Sequence, residues 1–443
     1  MDKQKFHDQG RRDFMKQSSL LAGGLLAMPI LSKANYFSGS SDVIKIALIG
    51  CGGRGTGAAT QALSTKENVQ LVAMADAFPD RLADSYNNIK EALGDKASRV
   101  AVKEENKFIG FDAYKQAIAL ADVVILATPP GFRPIHFEEA IRQGKHVFME
   151  KPVATDPAGI KKVLDAAAVA KSKKLNVVVG LQRRYQNSYR ELYKRAQDGI
   201  IGDVVSMNVW WNQGALWVKP RKPEYTEMEY QMRNWYYFNW LCGDHIVEQH
   251  IHNIDVGNWF MNATPQTALG MGGRAVRTGK EFGEIFDHHA VEYRFANGVI
   301  MNSQCRHWKD APSRVDEEII GTKGRIFCDQ ARIVDHKGKV LFQFDKKAKE
   351  NNPYQTEHDE LFAAIAKGEY KFQDAERGAQ ATLSAIIGRL ATYSGQVIDW
   401  NVALNSGLDI HPKVYAFDAQ PPVMPDASGN YAYAKPGITK YFS

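Results

Sequence analysis

The run Val43-Ile44-Lys45-Ile46-Ala47-Leu48-Ile49-Gly50-Cys51-Gly52-Gly53-Arg54-Gly55 decides the fold. Its first seven residues, rich in β-branched side chains, read as a buried parallel strand, and the glycines follow at once as G-x-G-x-x-G. Gly50 permits the tight turn, Gly52 lets the backbone approach a pyrophosphate, and Gly55 lets the next helix pack on the strand with its N-terminus facing phosphate. Gly53 and Arg54 lie in the same loop and are expected to face the ligand. A helical pattern runs from Thr56 to Ser64, and a second strand, Val69 to Ala75, ends at Asp76, 21 residues beyond Gly55. A carboxylate there suits a ribose hydroxyl pair and repels a 2′-phosphate, so NAD is the expected cofactor. Arg54 and Arg81 keep the phosphorylated dinucleotide open as the alternative.

Two further strands extend the pattern. Asp122 to Thr128 closes with Pro129-Pro130, and His146 to Met149 ends at Glu150-Lys151-Pro152. Ligands of an open α/β sheet sit beyond the carboxyl ends of its strands, which adds Thr128, Pro129, Glu150 and Lys151 to the cofactor site.

Composition agrees with a globular chain. The 443 residues are 44% hydrophobic and 24% charged, which suits two modest domains and excludes disorder, collagen and coiled coil. The net charge is +6, but residues 1–35 hold six Lys/Arg against three Asp, leaving only +3 for the remainder. That is no nucleic-acid footprint. Four cysteines without a C-x-x-C pair make no disulfide framework.

The start of the chain reads as an address. Gly10-Arg11-Arg12-Asp13-Phe14-Met15-Lys16 precedes an uncharged stretch, Gln17 to Ser32, too short and too interrupted to span a bilayer comfortably. The paired arginines resemble a twin-arginine export signal, which implies a periplasmic or otherwise exported protein, in contact with membrane only through export or an uncleaved signal.

The Gly50 loop, Asp76, Thr128-Pro129-Pro130 and Glu150-Lys151-Pro152 together resemble the glucose–fructose oxidoreductase, inositol dehydrogenase and rhizopine-catabolism (Gfo/Idh/MocA) family, over nearly all the chain after residue 42. The resemblance implies that Lys151 reaches both the nicotinamide ribose and a substrate hydroxyl. A desolvated lysine beside a cationic ring would trade protons near neutrality, which points the same way.

A second constellation lies in Gly243-Asp244-His245-Ile246-Val247-Glu248-Gln249-His250-Ile251-His252-Asn253-Ile254-Asp255. Read as one helix, His245, Glu248, His252 and Asp255 share a face. The family carries a carboxylate and a histidine four residues apart here, which implies His252 as proton relay or general base and Glu248 as the residue orienting it or a substrate hydroxyl. A divalent metal on His245, His250 and His252 is the rival reading, but no H-E-x-x-H pattern exists and none is expected. Arg184 and Tyr185, at a predicted helix start, are candidates for binding hydroxyls, as are Trp235 and Tyr237 in the aromatic, amide-rich run Arg233 to Trp240, and His245.

Alternating residues from Val204 to about Phe327, with an Asn297-Gly298 hairpin signal, predict a large open, mostly antiparallel sheet. By the resemblance its free face pairs copies into a homodimer or homotetramer. Helices are expected at Thr356 to Ala366 and Asp374 to Ser394, returning to support that sheet. The expected division is a signal and linker (1–41), a doubly wound Rossmann domain (42–152), an α+β substrate and oligomerisation domain (153–400) and an extended tail (401–443).

These readings imply an exported NAD-dependent oxidoreductase that removes hydride from a sugar, cyclitol or glycoside hydroxyl carbon. Outside the cytoplasm no soluble NAD pool exists, so the cofactor would be tightly held and recycled. A glycoside hydrolase working by transient oxidation, elimination and re-reduction is the second account, and a non-catalytic carbohydrate-binding protein the third.

Overall fold

The computed structural model describes residues 43–442, so the expected export signal and linker (1–41) lie outside the described residues. A first half alternates strand and helix: β1 (Ile44–Ile49), α1 (Gly53–Ser64), β2 (Val69–Asp76), α2 (Pro79–Leu93), β3 (Lys107–Ile109), α3 (Ala113–Ala119), β4 (Val123–Leu126), α4 (Arg133–Arg142), β5 (His146–Met149), α5 (Pro157–Ser172) and β6 (Val177–Val179). These strands form one parallel sheet in the order β3-β2-β1-β4-β5-β6. The order reverses between β1 and β4, and the ends of those strands open the crevice where a doubly wound sheet takes its ligand.

The sheet does not stop at residue 152. β6 pairs with β5, so the expected boundary falls inside the sheet.

After α6 (Asn187–Gln197) come β7 (Val204–Gln213), α7 (Glu227–Arg233), α8 (Asn239–Cys242), α9 (His245–Glu248) and α10 (Ile251–Met261). Then follow β8 (Thr267–Gly273), β9 (His288–Arg294), β10 (Ile300–His307), β11 (Arg314–Gly321), β12 (Gly324–Phe327), β13 (Arg332–Asp335) and β14 (Val340–Gln343). The chain closes with α11 (Lys346–Lys349), α12 (Pro353–Ala366), α13 (Asp374–Ser394), β15 (Ile398–Asp399) and α14 (Trp400–Asn405). The second sheet runs β14-β13-β12-β11-β7-β10-β9-β8-β15 and is antiparallel except between β7 and β10. The predicted hairpin joins β9 to β10, with Gly298 at φ +84°.

Strand registers explain the two faces of this sheet. One row, Ile398-Ala268-Tyr293-Met301-Met207-Ile319-Ile326-Ile333, crosses eight strands and is buried throughout. A parallel row, Leu269-Glu292-Asn302-Asn208-Glu318, points the other way and is polar or exposed, as a period of two requires. α13 and α10 pack on the buried face.

One expected support is placed differently. Leu361, Phe362 and Ile365 of α12 share a core with Ala58, Leu63 and Leu82 of the first half rather than with the second sheet. The stretch 153–400 is therefore not one continuous domain. Beyond Asn405 the described chain has no further helix or strand, yet Tyr415, Phe417 and Tyr431 pack into the aromatic cluster around Phe132 and Trp240. No helix among the described residues is long and apolar enough to cross a membrane.

Candidate active site

A cavity of about 700 Å³ runs from the Gly50 loop to the aromatic segments after β7 and α7. At its first end two glycines are dictated by space. Gly50 sits at φ +95°, and a Cβ there would stand 2.4 Å from the Thr128 nitrogen; a Cβ on Gly55 would stand 1.9 Å from the Gly50 oxygen. Gly52 and Gly53, in contrast, would point a Cβ into open space at the start of α1, leaving a cradle of backbone N–H groups at a positive helix end.

Asp76 closes this end. Its carboxylate accepts from the backbone N–H of Cys51 (2.6 Å) and Phe78 (2.9 Å), and burial pushes its carboxyl above the ordinary value against their pull. Arg54 lines the cavity, but its guanidinium is spent on Glu150 (2.5 Å), Gln61 (3.0 Å) and Glu357 (3.4 Å) and lies over the Tyr354 ring. It serves the loop rather than a phosphate, which removes the main argument for the phosphorylated dinucleotide. Glu150 accordingly anchors the loop from below. Thr128 and Pro129 line the wall, with the Thr128 hydroxyl 3.3 Å from His136 Nδ1.

Lys151, Glu248 and His252 meet where the two halves face each other. Lys151 Nζ donates to the Glu248 carbonyl (2.6 Å) and lies 3.3 Å from its Oε1. Glu248 Oε2 accepts from Gln249. His252 stacks on Trp211 with centroids 5.8 Å apart. Burial first, then the charges of Lys151, Arg183 and Arg54, hold the His252 imidazole well below its ordinary value. It is neutral at pH 7, with its Nδ1 unpartnered.

The helix that was to carry four site residues on one face is broken. α9 ends at Glu248, Gln249 and His250 form a turn, and α10 begins at Ile251. The three imidazoles consequently have three different surroundings. His250 Nε2 meets the Ser303 hydroxyl (2.7 Å), while His245 is fully buried beside Asp244, His289 and His307. Asp244 is the hub there: its carboxylate accepts from the His245 N–H (2.5 Å), Phe286 N–H (2.9 Å) and Tyr393 hydroxyl (2.5 Å), with His289 Nε2 at 3.3 Å.

Other expected substrate contacts are likewise spent on the fold. Arg184 makes a bidentate pair with Asp255 (2.8 and 2.7 Å), and the buried Tyr185 hydroxyl donates to Asp374 (2.8 Å). Tyr237 donates to the Trp217 carbonyl (2.8 Å) and accepts from Arg277. None of these three, nor His245, lines the cavity; Trp235 does.

Sequence reading missed Tyr236, Gln182 and Gln249, all on the cavity wall. Tyr236 is oriented from behind. His307 Nδ1 faces the Gly214 carbonyl (3.0 Å), so it carries the proton, and Nε2 accepts from the Tyr236 hydroxyl (2.9 Å). Five aromatics in the six residues from 235 to 240 give no periodicity to single one out.

Comparison with known proteins agrees with this layout. A model of the oxidoreductase family with an NAD-binding Rossmann fold matches residues 44–180, and the GFO/IDH/MocA C-terminal domain matches residues 189–327. Inositol 2-dehydrogenase of Rhizobium meliloti is 25% identical over 295 residues, 66% of this chain and 77% of that protein. Myo-inositol 2-dehydrogenase of Thermotoga maritima is 24% identical over 356 residues, 77% and 93% of the two chains. In fold the chain is similar to scyllo-inositol dehydrogenase of Lactobacillus casei with bound NAD(H) and scyllo-inositol (TM-score 0.61, 22% identity, 81% of this chain and 100% of that one). It is also similar to levoglucosan dehydrogenase in complex with NADH and levoglucosan (TM-score 0.62, 17% identity, 81% and 99%). With both halves matched, and with the glycine loop, Asp76 and the strand-end lysine gathered in one cleft, the chain belongs to the Gfo/Idh/MocA family of oxidoreductases, with NAD as its cofactor.

Proposed function

We propose that this enzyme oxidises a secondary hydroxyl of a sugar, cyclitol or glycoside, and that it keeps its cofactor between turnovers. The convergence of Lys151, Glu248 and neutral His252 at the far end of the dinucleotide cleft carries the reading. Bound NAD supplies a two-electron hydride acceptor there. His252 takes the hydroxyl proton; Lys151, steered by the Glu248 carbonyl and carboxylate, holds the oxygen as it becomes a carbonyl. Tyr236, aimed by His307, offers its oxygen to a neighbouring hydroxyl. The names of the relatives, inositol dehydrogenases above all, support a polyol substrate.

A latch favours retention of the cofactor. Arg233 of the second half pairs with Asp80 of the first (3.1 Å), lies 4.1 Å from the Phe78 ring centroid and is held by Glu229 (2.8 Å). Arg233 and Phe78 both border the cleft, so the pair bridges it beside Asp76. Retention suits an exported protein, the reading that Arg11-Arg12 supports. The outer sheet face, with Met271 77% exposed, suits pairing with a second copy.

The test is spectroscopic. Protein purified without added nucleotide should carry a nicotinamide absorbance and fluorescence signature, and sugars, cyclitols and glycosides should change its redox state in single turnover. Protein that neither carries nor binds nicotinamide would overturn the proposal. Product release with the band returning unaided would mark internal re-reduction of the substrate.

A further inference from the structure

Beside Tyr236 the same cavity is also lined by Trp217, Trp235, Leu216 and Lys219. Trp217 and Trp235 stand 5.8 Å apart at 59°, and both lean on Tyr236, at 6.1 and 5.7 Å. Trp217 is 40% exposed although it faces a cavity, so its ring has surface left to cover.

This wall is held in place with unusual care. Residues 214–226 form neither helix nor strand, yet two fully buried polar side chains grip their backbone. Tyr237 donates to the Trp217 carbonyl (2.8 Å), and Asn234 Oδ1 accepts from the Lys219 N–H (2.9 Å). Arg277 in turn donates to Tyr237, and Asn234 is fixed by donating to the Glu281 carbonyl (2.9 Å). These contacts fix the angle at which the loop presents its rings. Lys219 adds a donor at the rim: among the described residues it makes no ion pair, and its Nζ lies 5.9 Å from the Trp217 centroid.

We propose that the substrate is a glycoside rather than a free cyclitol or monosaccharide, its second ring lying against Trp217 and Trp235 with Lys219 reaching a polar substituent. This rests on the oxidoreductase reading above. The first ring takes the positions beside Lys151, Glu248 and His252. The second needs a flat, apolar-faced body joined through an acetal oxygen, which either another sugar or an aromatic aglycone supplies.

The experiment compares glucose and myo-inositol with a glucose disaccharide and an aryl glucoside on the cofactor-loaded protein, by kcat/KM and by calorimetric binding. The wild type should favour the two-ring ligands at least about tenfold, and Trp217→Ala should remove that preference. Preference for the disaccharide identifies a second sugar; preference for the aryl glucoside, an aromatic aglycone. Equal affinity for one-ring and two-ring ligands overturns the proposal. So does a Trp217→Ala protein that loses NADH affinity but keeps its glycoside preference, since the rings would then cover the cofactor. Calorimetry separates the two readings: glycoside binding without cofactor reduction would sink the oxidoreductase assignment and leave the two-ring site standing.

Discussion

Asp244-His245 and Glu248-His252 lie within nine residues of one another and use the same two residue types, yet they do opposite things. Around Asp244 the carboxylate is fully engaged within the protein: His245, Phe286 and Tyr393 all donate to it, and the site is sealed from solvent. Around Glu248 the neighbouring His252 keeps an unpartnered Nδ1, and lysine, carboxylate and imidazole share a cavity wall with room for a reactant. Chemistry resides where polar groups are positioned but unsaturated; stability resides where they are saturated.

That contrast is open to breakage. Lys151→Ala should lower single-turnover cofactor reduction by about a thousandfold or more while NADH still binds with near wild-type affinity, as fluorescence titration would read. A similar loss of NADH affinity would recast Lys151 as a cofactor anchor. Asp244→Ala should leave two buried imidazoles and a tyrosine without their acceptor, costing about 3–5 kcal/mol in denaturant unfolding. An Asp244→Ala protein of full stability but no activity would merge the two clusters into one site.

A third cluster lies between these extremes. His411 in the tail pairs with Asp156 (3.0 Å) and Asp409 (3.2 Å). Burial disfavours the imidazolium, but hydrogen bonds and charge from both carboxylates outweigh it and raise His411 to about 9. A folded pKa above the unfolded one, about 6.5, stabilises fully below that value and is lost as pH rises through about 9. His411→Gln should therefore lower the unfolding free energy at pH 6 by about 1 kcal/mol given the exposure of Asp409, as denaturant titration would read, and the gap should close by pH 10. A gap independent of pH would make the contribution steric.

Local features were legible in the sequence. The Gly50 turn, Asp76 at the end of β2 and the Asn297-Gly298 hairpin each follow from a few adjacent residues whose backbone demands are particular to them. The outer and inner rows of the second sheet follow from simple alternation. Arg184 and Tyr185 were misplaced because their partners, Asp255 and Asp374, are remote in sequence, and His245 because one helix was assumed where two occur. Gly243 and Asp244, at φ +78° and +70°, start α9 in a direction that no helical wheel anticipates. The attachment of α12 to the first core depends on which apolar stripe meets which sheet, and apolar stripes carry no address.

That attachment also sets an order of assembly. The nucleotide-binding strands leave the ribosome early, but the helix that completes their core, Pro353–Ala366, is made more than three hundred residues after β1, and the tail aromatics that brace Phe78 and Phe111 follow later still. The cofactor half cannot mature as a free-standing unit during synthesis, and a fragment ending at β6 would expose the apolar surface that α12 covers.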